Sequence, residues 1–300
     1  MLSIIICTYN RDKYLGETLN RLADNANAGE WELLLIDNNC TDSTPTICEA
    51  FAAAHPDLPF RYMVETKQGL SHARNRGMEE AKGDWFIFLD DDAFVGKTYL
   101  SRLQKYIAQL PDMHAFGGRI YPFFETGVQP AWLCRWNRSW LSAIDKGDAV
   151  CPFEGNDYPI GANMGISRAM AEACGGFDTT LGRSGKNLIG GEEKDYFNRI
   201  KARNGIIYYL PDIPVDHCIP PSRTTKDYIA RLGNGVGRSE RMRTKDRGIY
   251  GRRLLSEAIK WGASIVLWCA YALVGRVACG NSLILFRKNV TAGLLALIKE

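Results

Sequence analysis

Three stretches of this 300-residue chain carry residue types that could do chemistry. The apolar run Trp85-Phe86-Ile87-Phe88-Leu89 ends in three consecutive carboxylates, Asp90, Asp91 and Asp92. Neighbouring carboxylates repel one another, so such a run persists best where a cation or a ligand's hydroxyls compensate it. An acidic, solvated strand end is the plainer alternative. Gly190-Gly191-Glu192-Glu193 sets a second acid pair at the start of a helix running through Tyr196, Phe197 and Ile200. There a carboxylate can take a proton or simply complement the helix dipole. His217 follows in the loop Val215-Asp216-His217-Cys218, where a histidine is either a metal ligand or a satisfied polar residue.

The segments around these residues must bring them together. Leu2 to Cys7 reads as a first strand, followed by the polar loop Thr8-Tyr9-Asn10-Arg11-Asp12 and a helical pattern through Tyr14, Leu15, Leu19 and Leu22. Trp31 to Ile36 is a second buried strand ending in Asp37-Asn38-Asn39, with a helix from Ile47 to Ala54. Phe60 to Val64 and a helix from Ser71 to Lys82 lead into Trp85 to Asp92. Strands alternating with helices predict a parallel sheet, which binds ligands beyond the carboxyl ends of its strands. Asp37, the Thr8 to Asp12 loop and Asp90 to Asp92 therefore share one edge. No G-x-G-x-x-G or P-loop motif appears, which removes the glycine-cradled nucleotide readings. Further on, Ala115 to Tyr121, Gly161 to Ile166 and Gly205 to Leu210 read as strands and Arg168 to Cys174 as a short helix. The Trp-, Pro- and Gly-rich region up to Tyr158 reads as a substrate-side excursion.

Hydrophobic residues make up 46% of the chain, enough for a sizeable core. Its nine cysteines form no C-x-x-C pair, and no basic-then-apolar leader precedes the first strand. Free thiols in a reducing cytosol are the expectation. The net charge of +3 hides an asymmetry, since Arg223 to Arg253 holds ten Lys/Arg against three Asp/Glu. That stripe suits an anionic membrane or nucleic acid, or is a solvated helix face. Between Lys260 and Arg276 lie fifteen uncharged residues, short of the ~20 of a comfortable span.

Taken in order, S-I-I-I-C-T-Y-N-R, L-L-L-I-D-N-N-C-T-D-S-T, G-L-S-H-A-R-N-R-G, G-D-W-F-I-F-L-D-D-D, G-A-N-M-G-I-S-R, G-G-F-D and G-G-E-E-K-D-Y-F-N-R-I resemble the family 2 glycosyltransferases, across about residues 2 to 217. The resemblance implies an α/β fold of GT-A type, with a Rossmann-like, mostly parallel central sheet flanked by helices. It implies a domain over 1–222, with a nucleotide-binding half at 1–112 and an acceptor-side half at 113–222, and leaves 223–300 as a basic then hydrophobic helical appendage. A nucleotide-sugar donor, a UDP-sugar by preference, would lie against Thr8, Asn10, Arg11, Asp37, Asn39, Arg74 and Asp90 to Asp92. Asp37 would face the base, and Arg74 the base or diphosphate. Asp90 to Asp92 matches the D-x-D element, and Asp92 with His217 would hold a divalent cation, Mn or Mg. Glu193 falls where the family carries its catalytic base, with Glu192 beside it, and Asn163 and Met164 fall on the acceptor side.

Two departures matter. The pair is Glu-Glu where Glu-Asp is usual, which makes the base a methylene longer, and the Q-x-x-R-W of processive synthases is missing, which points to transfer of a single sugar. With no separate nucleophile implied, a single displacement would invert the anomeric carbon. The expected partners are a glycan or lipid-linked acceptor and a membrane surface, with no nucleic acid. The expected place is the cytosolic face of a membrane, in cell-surface polysaccharide or glycolipid assembly. A magnesium-dependent phosphohydrolase or phosphotransferase is the rival enzyme, although its acids would belong on the first strand. A non-catalytic sugar-binding module would leave two acid clusters without a role.

Overall fold

Ile4, Ile5 and Ile6 are all fully buried because Leu2–Thr8 (β1) lies within a sheet covered on both faces. Leu2, Ile4 and Ile6 pack into one core with Leu33, Leu35, Ile87 and Leu89, while Ile5 joins Leu34, Ile36, Phe86 and Phe88 on the other side. That is the two-sided burial that gives a strand an unbroken apolar run. Burying each such side chain contributes about 2 kcal/mol, so the site rests on a rigid platform.

The computed structural model describes residues 1–182 and 191–295. β1, Asp12–Ala23 (α1), Trp31–Asp37 (β2), Thr44–Ala54 (α2), Phe60–Val64 (β3), Leu70–Glu80 (α3) and Trp85–Asp90 (β4) alternate as the sequence predicts. β3, β2, β1 and β4 pair in parallel. Ala93–Val95 (β5), Tyr99–Gln109 (α4), Met113–Phe124 (β6), Cys151–Pro152 (β7), Asn163–Ser167 (β8), Arg168–Cys174 (α5), Glu192–Ala202 (α6) and Ile206–Ile219 (β9) follow. The sheet order is β3-β2-β1-β4-β8-β6-β9-β5 with β7 on β9, antiparallel where β4 meets β8, β8 meets β6, and β9 meets β5 and β7. Helices flank this mixed sheet, and the architecture is the GT-A one.

Sequence reading leaves 93–112 without an element, although Tyr99, Leu100 and Leu103 recur at helical spacing and are buried in α4. It also ends the last strand at Leu210, because Pro211 and Pro214 donate no ladder hydrogen bond. β9 nevertheless continues to Ile219, so His217 lies in a strand and not in a loop.

The described residues form two compact units, 1–122 with 142–182 and 191–218, and 123–141 with 219–295. In the second, Lys226–Asp246 (α7), Tyr250–Leu273 (α8) and Val277–Leu295 (α9) are joined by the Trp-rich segment 123–141. Trp140 stacks on Phe286 with ring centres 4.2 Å apart, which draws that segment to the C-terminal helices. α7 and α9 approach closely at Gly237, where a Cβ would run into the Val290 carbonyl oxygen. Among the described residues, no helix is long and apolar enough to cross a membrane.

Candidate active site

Register places the site. Along β1, Thr8 stands opposite Asp37 of β2 and Cys7 opposite Asp90 of β4, so three polar strand ends finish level. Thr8 Oγ1 donates to Asp91 Oδ2 at 2.7 Å, and Thr18 Oγ1 of α1 donates to the Asp91 carbonyl at 2.8 Å. The Thr8–Asp12 loop is tied to the loop after β2, because Asn10 Oδ1 accepts from Thr41 N at 2.7 Å and Asp42 Oδ2 from Asp12 N at 3.0 Å. Asn10 and Asn39 both adopt left-handed backbone, φ 51° and 67°, a conformation asparagine tolerates better than most residues. Asn39 Nδ2 donates to the Thr66 carbonyl at 3.0 Å. Asp37 is buried, and its carboxylate accepts from Cys40 N at 2.6 Å and Tyr62 Oη at 2.5 Å.

Asp90, Asp92 and His217 form the one group of metal-type ligands found among the described residues. One donor atom from each lies within 4.8 Å of the others. His217 Nε2 is 3.2 Å from Asp92 Oδ1 and 3.7 Å from Asp90 Oδ2. The cause is the β5–β9 pairing, which sets His217 opposite Ala93, one residue beyond Asp92. Two carboxylate oxygens and an imidazole nitrogen are a donor set that fits a divalent cation such as Mn or Mg. Arg11 meets the same acid run, its Nη2 donating to Asp92 and its Nε standing 3.5 Å from Asp91. Burial pushes the Asp91 carboxyl up to about 7, against the pull of Arg11 and with the push of Asp92.

The second acid cluster belongs to α6. Arg74 of α3 bridges it, with Nη1 3.3 Å from Glu192 Oε1 and Nη2 3.0 Å from Glu193 Oε1. Its guanidinium lies 5.3 Å from the Phe177 ring centre and 6.0 Å from that of Phe88, so it is held by aromatic faces as well as charge. Gly161 N donates to Glu193 Oε1 at 2.8 Å. A Cβ at 161 would run into Arg74 Nη2 and Glu193 Oε1, so a larger residue there has to displace them. The Glu193 side chain keeps 20% exposure where Glu192 keeps 5%, which makes Glu193 the reachable member of the pair. Burial, reinforced by Glu192 and opposed by Arg74, pushes Glu193 up to about 7. Asp90 of the first cluster and Arg74, the clamp of the second, line one small cavity with Cys7 and Gly161. Burial also pushes the Cys7 thiol up to about 12, leaving it neutral and a poor nucleophile.

Other sequence-predicted residues face elsewhere. Asn163 is fully buried: Nδ2 donates to the Arg119 and Ile213 carbonyls at 3.1 and 2.8 Å, and Oδ1 accepts from Tyr99 Oη at 2.6 Å. Met164 is fully buried in the sheet core. Adjacent on β8, they point to opposite faces of a sheet covered on both sides, so both are buried, and it is Gly161 that faces the cavity. Gly190 falls outside the described residues. Gly161, Tyr62 and Phe177 escape sequence reading because their importance comes from partners more than 20 positions away.

Residues 3–175 match glycosyl transferase family 2. The chain is 24% identical over 246 residues to the glucosyl-dolichyl phosphate glucuronosyltransferase of Haloferax volcanii, covering 80% of this chain and 76% of that protein. It is 27% identical over 236 residues to the succinoglycan biosynthesis protein ExoM of Rhizobium meliloti, covering 77% and 71%. In fold it is similar to the mannosyltransferase PcManGT from Pyrobaculum calidifontis, solved in complex with GDP-Man and Mn2+, with a TM-score of 0.64, 16% identity, and coverage of 98% of this chain and 87% of that one. With a family match over more than half its length, a GT-A sheet and a D-x-D site at the end of β4, the chain belongs to glycosyl transferase family 2 and is a glycosyltransferase.

Proposed function

We propose that the protein moves one sugar from a UDP-sugar to an acceptor hydroxyl in a single displacement that inverts the anomeric carbon. The observation that carries this is that Asp90 of the acid–histidine cluster and Arg74, which clamps Glu192 and Glu193, line one cavity. Asp90, Asp92 and His217 would hold the divalent cation, which supplies charge stabilisation to a departing diphosphate. Arg11 stands beside them, where its guanidinium suits phosphate oxygens. Thr8, Asn10 and Asn39 shape the loops at the nucleotide end, and Asp37 holds the second loop through Cys40 and Tyr62. Glu193 accepts the proton of the acceptor hydroxyl, and its raised pKa makes it a stronger base than an ordinary carboxylate. Arg74 keeps both glutamates in place, and Glu192 keeps Glu193 raised. Since Cys7 stays a neutral thiol, it supplies no nucleophile for a double displacement.

The acceptor we propose is a glycan or lipid-linked hydroxyl in polysaccharide or glycolipid assembly, met at the cytosolic face of a membrane. The basic run from Arg223 to Arg253 supports this, as does similarity to relatives named for a dolichyl phosphate and for succinoglycan biosynthesis. A thermal-shift screen of UDP-, GDP- and dTDP-sugars with Mn or Mg, followed by product NMR, tests the reading. A UDP-sugar should raise the midpoint only with metal, and the product should carry the opposite anomer. A retained anomer, or stabilisation by a GDP-sugar alone, overturns the respective part.

A further inference from the structure

The helix α8 is turned inside out. Its acid points inward: Glu257, its only acid, is 3% exposed and accepts from Arg253 Nη1 at 3.0 Å and from Arg287 Nη1 of α9 at 3.1 Å, while the exposed charges of the helix, Arg252 and Lys260, are both cationic. Arg253 Nε reaches Glu240 Oε2 of α7 at 3.1 Å, and Trp261 Nε1 donates to Thr291 Oγ1 at 2.9 Å. Its apolar residues point outward. Leu255, Ile259, Val266 and Leu273 are 65%, 67%, 68% and 88% exposed, and their steps of four and seven residues keep them on one stripe. A helix facing water has the reverse arrangement, so this face is built for an apolar medium.

The chemistry of the stripe's ends identifies that medium. Arg252 precedes it and Arg276 follows it, both exposed, and no acid lies on the outer face. A second copy is a poor occupant, because pairing the stripe with itself in either direction sets like charges together. We propose that the outer face of α8 is a membrane-insertion surface lying in the plane of one leaflet, its apolar stripe at the acyl boundary and its cationic ends on anionic headgroups. This rests on the peripheral-membrane reading above and assigns it to one helix face. The stripe is ~27 Å long at 1.5 Å per residue, and the side opposite it carries the polar contacts of Arg253, Glu257 and Trp261, which suits lying in the interface and not crossing it.

The test uses the full chain with vesicles of phosphatidylcholine, with and without phosphatidylglycerol, and a polarity-sensitive probe on the exposed Cys269. Phosphatidylglycerol vesicles should bind, shift the probe emission to the blue and let brominated acyl chains quench it. Replacing Leu255, Val266 and Leu273 together by Glu should weaken binding at least ~10-fold while leaving the unfolding midpoint unchanged, because those side chains face outward. Unaltered vesicle binding by that variant overturns the proposal. So does a wild-type protein that ignores vesicles and runs as a dimer the variant splits. Metal-dependent stabilisation by UDP is measured on the same samples. Lost vesicle binding with that shift intact counts against the surface alone, and a missing shift with vesicle binding intact counts against the donor reading alone.

Discussion

Asp92 and Glu193 each face an arginine, yet Arg11 beside the first keeps 31% exposure while Arg74 beside the second keeps 3% and lies against Phe88 and Phe177. Asp92 itself is fully buried, so this guanidinium, which still reaches solvent, can leave its carboxylate when a cation takes over its charge. A buried one bridging two carboxylates cannot, since removing either partner strands a charge at a cost of about 3–5 kcal/mol. The difference teaches that the strand-end cluster is exchangeable and the helix-end cluster is fixed. One suits a ligand that comes and goes, and the other a base whose position must not change.

The largest effect should come from the exchangeable cluster. Asp92→Asn removes one of two carboxylates from the cation's ligands and should lower turnover by ~1,000-fold or more, several kcal/mol of lost charge stabilisation. Donor binding should lose its dependence on Mn or Mg in calorimetry. Undiminished turnover, or wild-type activity that survives exhaustive chelation, would break the comparison at its metal end.

Next is the fixed cluster. Glu193→Gln should cut kcat by ~100-fold or more while leaving donor affinity nearly unchanged, because a base acts on the acceptor and not on the diphosphate. Wild-type kcat/KM should rise as pH crosses about 7, where Glu193 ionises, and the variant should lose that rise. A larger loss in Glu192→Gln would transfer the role to the neighbouring acid.

A third test sharpens how tightly the base is held. Gly161→Ala pushes a methyl group against Arg74 and Glu193. Turnover should fall by roughly tenfold, the scale of a sub-ångström displacement of a catalytic group, with Mn-dependent donor binding intact. Equal loss of metal affinity would mean that the two clusters move together.

These outcomes bear on what the sequence can tell a reader. The parallel half of the sheet and the acid at its edge were legible because β1, β2 and β4 are buried on both faces and end abruptly in polar residues. The family was legible too, since the order of the motifs along the chain carries its pattern. His217 was found by position but misplaced in a loop, because prolines hide a strand whose register brings it to Asp92. The sequence pattern puts Asn163 and Met164 on the acceptor side, but a strand covered on both faces buries both neighbours. Arg74 joining Glu192 and Glu193 spans more than 100 positions, and no local period encodes such a contact.

The smallest effect is on stability, and its sign separates a fixed, buried base from an ordinary surface glutamate. Burial and Glu192 raise the Glu193 carboxyl in the folded protein to about 7, whereas in the unfolded chain it titrates in the usual carboxylate range. Between those values the folded state binds a proton that the unfolded state has released, so stability is greater at the acid end of the window and falls as pH rises through it. Glu193→Gln removes that dependence. The midpoint of the variant relative to wild type should therefore climb by a few degrees between pH 5 and pH 8, roughly the shift that ~1 kcal/mol gives a chain of this size. The comparison is internal to each pH, so titration of Asp91 and the other acids affects both proteins alike. An offset between variant and wild type that is constant across the range would mean that Glu193 ionises like a solvated carboxylate, and that neither burial nor Glu192 raises it.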